Sequence, residues 1–158
     1  MTDAAIREHL KRALEWGDAR ATFEQTVGDL PSTLRGKRPD GMPHSPWELL
    51  EHLRLAQQDI LEFCVNPNYK EREWPADYWP KSPEPPDNAA WDASVQHFLD
   101  DRKALQDLAS NTSIDLAARI PHGSGQTYLR ELLLIVDHNA YHLGQLVLVR
   151  RMLGAWKS

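Results

Sequence analysis

Two histidines stand four residues apart in "DHNAYHLGQL", residues 137–146, near the C-terminal end of the chain. On an α-helix this spacing projects both side chains from one face, one turn apart. The surrounding run is apolar with helical period, so His138 and His142 are predicted to point inward or nearly so. A buried imidazole needs partners for both nitrogens, and a shared metal ion would satisfy one nitrogen of each ring. The pair alone leaves two interpretations open: a metal site, or two core histidines satisfied by hydrogen bonds.

The residue after the first histidine excludes a metalloprotease. The two-histidine helix motif of those enzymes carries a glutamate there as general base, whereas this chain has Asn139. A third ligand must come from another helix, and His52 is the candidate, because it lies midway along a predicted apolar helix. Three neutral imidazoles suit Zn²⁺, Ni²⁺, Fe²⁺ or Cu²⁺ better than Mg²⁺ or Ca²⁺. Three protein ligands also leave a coordination position open, which is typical of a catalytic site.

Glu48 is the candidate catalytic residue beside these ligands. It lies one turn before His52 on the same helix face, where it could hold an imidazole N–H or transfer a proton. Its alternative role is to complete a helix-capping box with Ser45, and the two roles compete for one carboxylate.

The other histidines are weaker candidates. His9 is predicted on the surface, and His97 as a solvated or half-buried partner of Asp101. His44 and His122 are predicted in loops before the second and fourth helices, from which either could reach the mouth of the site, although a plain surface position is the favoured interpretation. Cys64 has no basic neighbour in the sequence, so it is not expected to be a nucleophile.

Four segments of helical period must position these residues, and almost nothing in the chain alternates as a strand does. The first is predicted from about Asp3 to Asp29 and the second over 46–65, with Ser45 as cap and Pro46 at the first helical position. The third is predicted from about Asn88 to Ala109 and the fourth from about Thr127 to Leu153.

Residues 66–87 hold six of the eleven prolines, together with Trp74, Tyr78 and Trp79. Proline blocks helix formation, so this segment is predicted to be a long crossover. Its aromatic residues indicate packing onto the body, either to stabilise the loop or to roof a pocket. The predicted fold is all-α: a four-helix bundle with a long crossover loop between helices 2 and 3, forming one domain over residues 1–158.

Composition narrows the partners and the compartment. The chain has 18 basic and 23 acidic residues without a basic cluster, which argues against nucleic acid and anionic membranes as partners. The single cysteine cannot form an internal disulfide, and the N-terminus lacks an apolar signal core. The longest purely apolar run, 132–136, is too short to span a membrane. A cytoplasmic protein is therefore expected.

These residues resemble the DinB/YfiT-like family of metalloenzymes. The resemblance lies in "SPWELLEHL" around His52, in "DYWPKSPEPPDNAAWDASVQHFLDDRKAL", and above all in "GQTYLRELLLIVDHNAYHLGQLVLVRRMLGAW". It implies a bundle with a long crossover, a homodimer, and a divalent metal held by His52, His138 and His142. Zinc or nickel is the metal it implies first, with iron or manganese as alternatives.

The same resemblance implies an activity. Characterised relatives include transferases and isomerases that use low-molecular-weight thiols such as bacillithiol or mycothiol, and others are described as metal-dependent hydrolases. The expected function is thus metal-dependent transfer of such a thiol to an electrophilic small molecule. The alternatives are a metal-dependent hydrolase and a non-catalytic metal-binding stress-response protein, and the residues themselves do not choose among them.

Overall fold

Residues 3–156, which a computed structural model describes, form five α-helices. They are α1 (Asp3–Ala13), α2 (Phe23–Val27), α3 (Pro46–Val65), α4 (Asn88–Ser110) and α5 (Tyr128–Met152). The described residues contain no β-strand, only an isolated bridge between Arg119 and Thr127. The predicted all-α fold is therefore confirmed.

The four longer helices pack as a bundle. α3 lies against both α4 and α5, while α1 packs mainly on α4 and also touches α5. Their apolar side chains form two buried clusters, one around Trp47, Phe98 and Leu146, the other around Leu105 and Leu132. α3 and α5 contribute to both clusters. The polar residues midway along these two helices, including the three candidate ligands, therefore lie between two apolar layers.

The prediction of one helix from Asp3 to Asp29 is wrong. α1 ends at Ala13, and α2 begins only at Phe23. Thr22 starts α2 with a capping box to Gln25: its side chain accepts from the Gln25 amide, and the Gln25 side chain accepts from the Thr22 amide. Between the helices the chain turns tightly at Gly17, where a Cβ atom would lie 2.7 Å from the side chain of Thr22. This turn frees α2 to pack against α5.

The predicted boundaries of the other helices agree with the structure. Ser45 Oγ accepts a hydrogen bond from the Glu48 amide at 3.2 Å, and Glu48 Oε2 accepts one from the Ser45 amide at 2.8 Å. Pro46 occupies the first turn of α3, and Thr127 caps α5. The crossover between α3 and α4 contains a single short 3₁₀ turn, Ala76–Tyr78.

A buried arginine fastens the C-terminal end of the chain to α2. The Arg150 guanidinium is 4% exposed and donates to the carbonyls of Thr26 at 2.6 Å, Gly28 at 2.7 Å and Ala155 at 2.8 Å. Carbonyls at helix ends lack intrahelical partners and carry partial negative charge, so a cation there both pairs them and offsets the helix dipole. Arg7 of α1 likewise donates to the carbonyls of Ala109 and Asn111 at the end of α4 and to that of Ile114 in the following loop.

The outward side of α5 carries large apolar side chains among charged ones. It exposes four large side chains: Leu133, Tyr141, Leu148 and Met152. Exposed apolar faces of this kind are typical of interfaces, and the homodimer expected from the sequence stays a prediction. By length and composition α5 could also cross a membrane, with a mean hydropathy of 1.3 over its most apolar stretch. Core helices of soluble bundles have the same properties, so this is weak evidence.

We expect Arg150→Leu to lower the free energy of unfolding by about 2–4 kcal/mol, because it leaves several buried carbonyls without a donor. Urea denaturation followed by circular dichroism measures the loss. Arg151→Leu is the matched control: Arg151 is the exposed neighbour on the same helix, and its loss should cost less than about 0.5 kcal/mol. Similar losses in the two variants would contradict the anchoring role of Arg150.

Candidate metal centre

The structure brings the three predicted ligands to one point. His52 projects from the middle of α3, and His138 and His142 project from α5. His52 Nε2 lies 3.1 Å from His142 Nε2 and 3.1 Å from His138 Nε2. Nitrogens bound to one tetrahedral zinc ion at about 2.0–2.1 Å would be about 3.3 Å apart. The spacing of the cluster is therefore compatible with a bound metal ion.

The second nitrogens of two rings show which atoms are free to bind a cation. His52 Nδ1 lies 2.9 Å from the carbonyl oxygen of Tyr78, and His142 Nδ1 lies 2.8 Å from Gln145 Oε1. Both oxygens only accept hydrogen bonds, so each Nδ1 carries the proton and each Nε2 presents a lone pair. Nε2 of His52 and Nε2 of His142 thus direct lone pairs at each other across 3.1 Å. The two lone pairs repel each other unless a cation lies between the nitrogens and binds both.

Burial keeps these rings unprotonated. Loss of solvent lowers the pKa of His52 to about 4 and that of His142 to about 4, and their proximity to His138 acts in the same direction. Burial also lowers the pKa of His138. At neutral pH all three imidazoles are neutral, which is the form that binds metal.

Trp79 of the crossover fixes the plane of the His52 ring. The two rings stack with centroids 3.9 Å apart and an interplanar angle of 1°. His44 stacks on the opposite face of Trp79 at 4.0 Å. His44, predicted in a loop from which it could reach the mouth of the site, therefore belongs to the surroundings of the site. The aromatic residues of the crossover therefore both stabilise this loop and form a wall of the site.

Tyr78 connects the crossover to α3 at two points. Its carbonyl meets His52, and its phenol donates to Asp59 Oδ2 at 2.6 Å, two turns further along the helix. Asp59 is 7% exposed, and it also accepts from the Tyr69 phenol at 3.0 Å and lies 3.4 Å from the Arg72 guanidinium. Burial and the adjacent carboxylate raise the pKa of Tyr69 to about 12 and also raise that of Tyr78, so both phenols stay donors.

Sequence reasoning missed the role of Asp59. The signal that could have found it is its position seven residues after His52, on nearly the same face of α3.

Glu48 is engaged elsewhere. Its carboxylate accepts from the Ser45 amide and from Nε of Arg38 at 2.8 Å, with a second contact to the same guanidinium. No hydrogen bond joins it to His52 among the described residues; the carbonyl of Tyr78 is the partner of that ring instead. The capping role is thus the one that the structure displays, and proton transfer by Glu48 stays a prediction.

The other histidines named above and Cys64 lie outside the three-histidine cluster. His9 and His97 are exposed, as expected. His122 lies at the edge of the cavity described below, where its Nε2 meets the Phe63 carbonyl at 2.7 Å. Burial raises the pKa of the Cys64 thiol to about 12, which agrees with its exclusion as a nucleophile.

A cavity of about 670 Å³ opens beside the three histidines. It lies between the C-terminal half of α3 and the N-terminal half of α5, and the crossover forms a further wall. Its apolar lining comes from Ala56, Ile60, Phe63 and Leu134. All three histidines line it, and its volume is typical of small-molecule sites. A ligand in the cavity could therefore reach the candidate metal centre.

Fold and site together define an all-α bundle protein whose three-histidine cluster could hold a metal ion beside a small-molecule cavity. The family model of the DinB superfamily matches residues 15–146, a range that contains His52, His138 and His142. The chain belongs to the DinB superfamily, as the sequence resemblance predicted. No curated protein and no solved structure matches it.

If Tyr78 positions His52, Tyr78→Phe should weaken zinc binding about tenfold, because the carbonyl that orients the ring loses its anchor on Asp59. Competition with a chromogenic chelator measures the affinity. Tyr69→Phe removes the other phenol from the same carboxylate, but the Tyr69 backbone makes no bond to a histidine, so the affinity should not change. An equal effect of the two variants would refute the positioning role.

Proposed function

We propose that this protein is a divalent-metal-dependent enzyme acting on a small molecule, with His52, His138 and His142 as the metal ligands. The observation that carries the proposal is the convergence of three imidazoles, with His52 Nε2 at 3.1 Å from Nε2 of both His138 and His142. Three neutral imidazoles favour Zn²⁺ or Ni²⁺, and the family resemblance adds Fe²⁺ or Mn²⁺ as alternatives. Three protein ligands leave a coordination position for water or substrate, and the cavity supplies room for that substrate.

A divalent cation in this site would lower the pKa of a water or thiol bound to it. The residues of the chain prepare the place where this happens. The Tyr78 carbonyl and Gln145 hold the Nδ1 protons of two ligands, so that Nε2 is always the free nitrogen. Trp79 covers one face of His52, and the apolar wall of the cavity limits water around the reacting groups.

Among the reactions that such a site supports, we favour transfer of a low-molecular-weight thiol. The thiolate sulfur would attack an electrophilic carbon, an S–C bond would form, and the leaving group would depart with its electron pair. Support for the thiol comes from family resemblance alone. Hydrolysis, with water as nucleophile, is the alternative that uses the same groups, and a non-catalytic metal-binding role is the second.

Elemental analysis tests the metal. We expect about one equivalent of divalent metal in the purified wild type and a large loss in His138→Ala, because that variant removes one of three ligands. His97→Ala is the control, since His97 is an exposed histidine on α4. A wild type without stoichiometric metal after zinc reconstitution, or unchanged content in His138→Ala, would rule out the metal centre.

Activity is tested with a panel of thiols and electrophiles, together with ester substrates, using wild type and His52→Ala at matched concentration. We expect thiol conjugation above the uncatalysed rate in the wild type and a loss of about hundredfold in the variant. Ester hydrolysis without thiol consumption would favour the hydrolase. Stoichiometric metal without either reaction would favour the non-catalytic role, and full activity in His52→Ala would place the chemistry elsewhere.

A further inference from the structure

The cavity has a second polar end, distant from the histidines. On α5, Glu131 lines the cavity seven residues before His138. This separation corresponds to about 10 Å along the helix axis. The intervening wall is formed by apolar residues, among them Ile60 and Leu134. A ligand that fills the cavity would thus contact a polar group at each end and apolar side chains between them.

Glu131 is a buried carboxylate with acceptor capacity to spare. The residue is 3% exposed, and its Oε1 accepts from the Arg130 guanidinium at 2.7 Å. No described residue donates to Oε2. A carboxylate offers about four lone-pair sites, and Oε2 is not among the fully buried atoms without a partner, so it stays accessible from the cavity that Glu131 lines. Its place in the first turn of α5 suits its negative charge, and Oε2 remains available to a ligand in the cavity.

Asp59, the other buried carboxylate of the cavity, provides the contrast. Two phenols and a guanidinium, all from the crossover, already engage it. Glu71 adds a third carboxylate at the exposed rim, and Arg130 is the only arginine or lysine among the described residues that line the cavity. Two of the three carboxylates are thus paired with a guanidinium, and Glu131 is the buried one that keeps an oxygen without a donor among the described residues.

We propose that this end of the cavity binds the cationic nitrogen of a small-molecule ligand, most simply a primary ammonium group, with Glu131 Oε2 as its acceptor. A guanidinium would need both carboxylate oxygens for a bidentate contact, and Arg130 already occupies one. An ammonium group needs a single acceptor. The ammonium site follows from the cavity alone; a ligand that also reaches the histidines rests on the proposed function.

Isothermal titration calorimetry with hexylamine and 1-hexanol tests the site, because the two probes share an apolar chain and differ in the charged end. The full-length wild type should bind hexylamine at least about tenfold tighter than 1-hexanol. Glu131→Gln should reduce this preference to near unity. Glu71→Gln removes a carboxylate from the exposed rim and should keep the preference. Equal affinity of the probes for the wild type, or an equal loss in both variants, would overturn the inference.

A variant that keeps the negative charge distinguishes loss of the ammonium site from loss of folding. If thermal melting shows that Glu131→Gln is unfolded, Glu131→Asp keeps the charge on a shorter side chain, and it should weaken hexylamine binding while 1-hexanol binding stays the same. An unchanged hexylamine affinity in that folded variant would overturn the site.

His138→Ala separates the ammonium site from the proposed function. This variant should lose metal but keep the amine preference. Absence of metal with the preference intact would refute the proposed function alone, and absence of the preference with metal present would refute the ammonium site alone.

Discussion

The hydrogen bond from His52 Nδ1 to the carbonyl of Tyr78 is the interaction on which the chemistry of the site depends. A neutral imidazole carries one proton, and this bond assigns it to the nitrogen that faces the crossover. Without it, Nε2 of His52 could donate to a neighbouring histidine, and the cluster would be a chain of ordinary hydrogen bonds. With it, His52 Nε2 keeps a lone pair directed at His142, and a cation bound between the two nitrogens would remove the repulsion between their lone pairs.

The crossover and α3 depend on each other through the same contacts. Asp59 could not be buried at low cost without donors, and the crossover supplies them as two phenols and a guanidinium. In return, Asp59 gives a proline-rich segment a fixed point on the bundle, which offsets part of the entropy lost when a long loop becomes ordered. Tyr78 contacts both Asp59 and His52, so the contacts that order the crossover also orient the His52 ring.

Local signals account for what the sequence could predict. The start of α3 follows from Ser45 and Glu48, because a capping box acts within four residues. The convergence of the histidines follows from helical period and from the packing of neighbouring bundle helices. The break after α1 also had a local signal, Thr22 with Gln25, but the apolar period on both sides hid it. The capping role of Glu48 was predicted, but its second partner, Arg38, lies in the preceding loop, where no local pattern pointed to it. The Tyr78 carbonyl is a backbone group that no side-chain pattern can indicate.

The two proposed sites together constrain the charge of a ligand that occupies both. The histidine end would hold a divalent cation, and the Glu131 end would hold an ammonium group about 10 Å away along α5. Two such cations repel each other by roughly 3 kcal/mol at an effective dielectric constant of about 20. A ligand group that is anionic at the histidine end offsets this repulsion, whereas a neutral group leaves it in place. Such a ligand would carry a thiolate or a carboxylate at one end, an amine at the other and an apolar linker between them. It would match both polar ends of the cavity and the apolar wall that separates them. If both proposed sites are occupied at once, a zwitterionic ligand would be favoured over a simple amine.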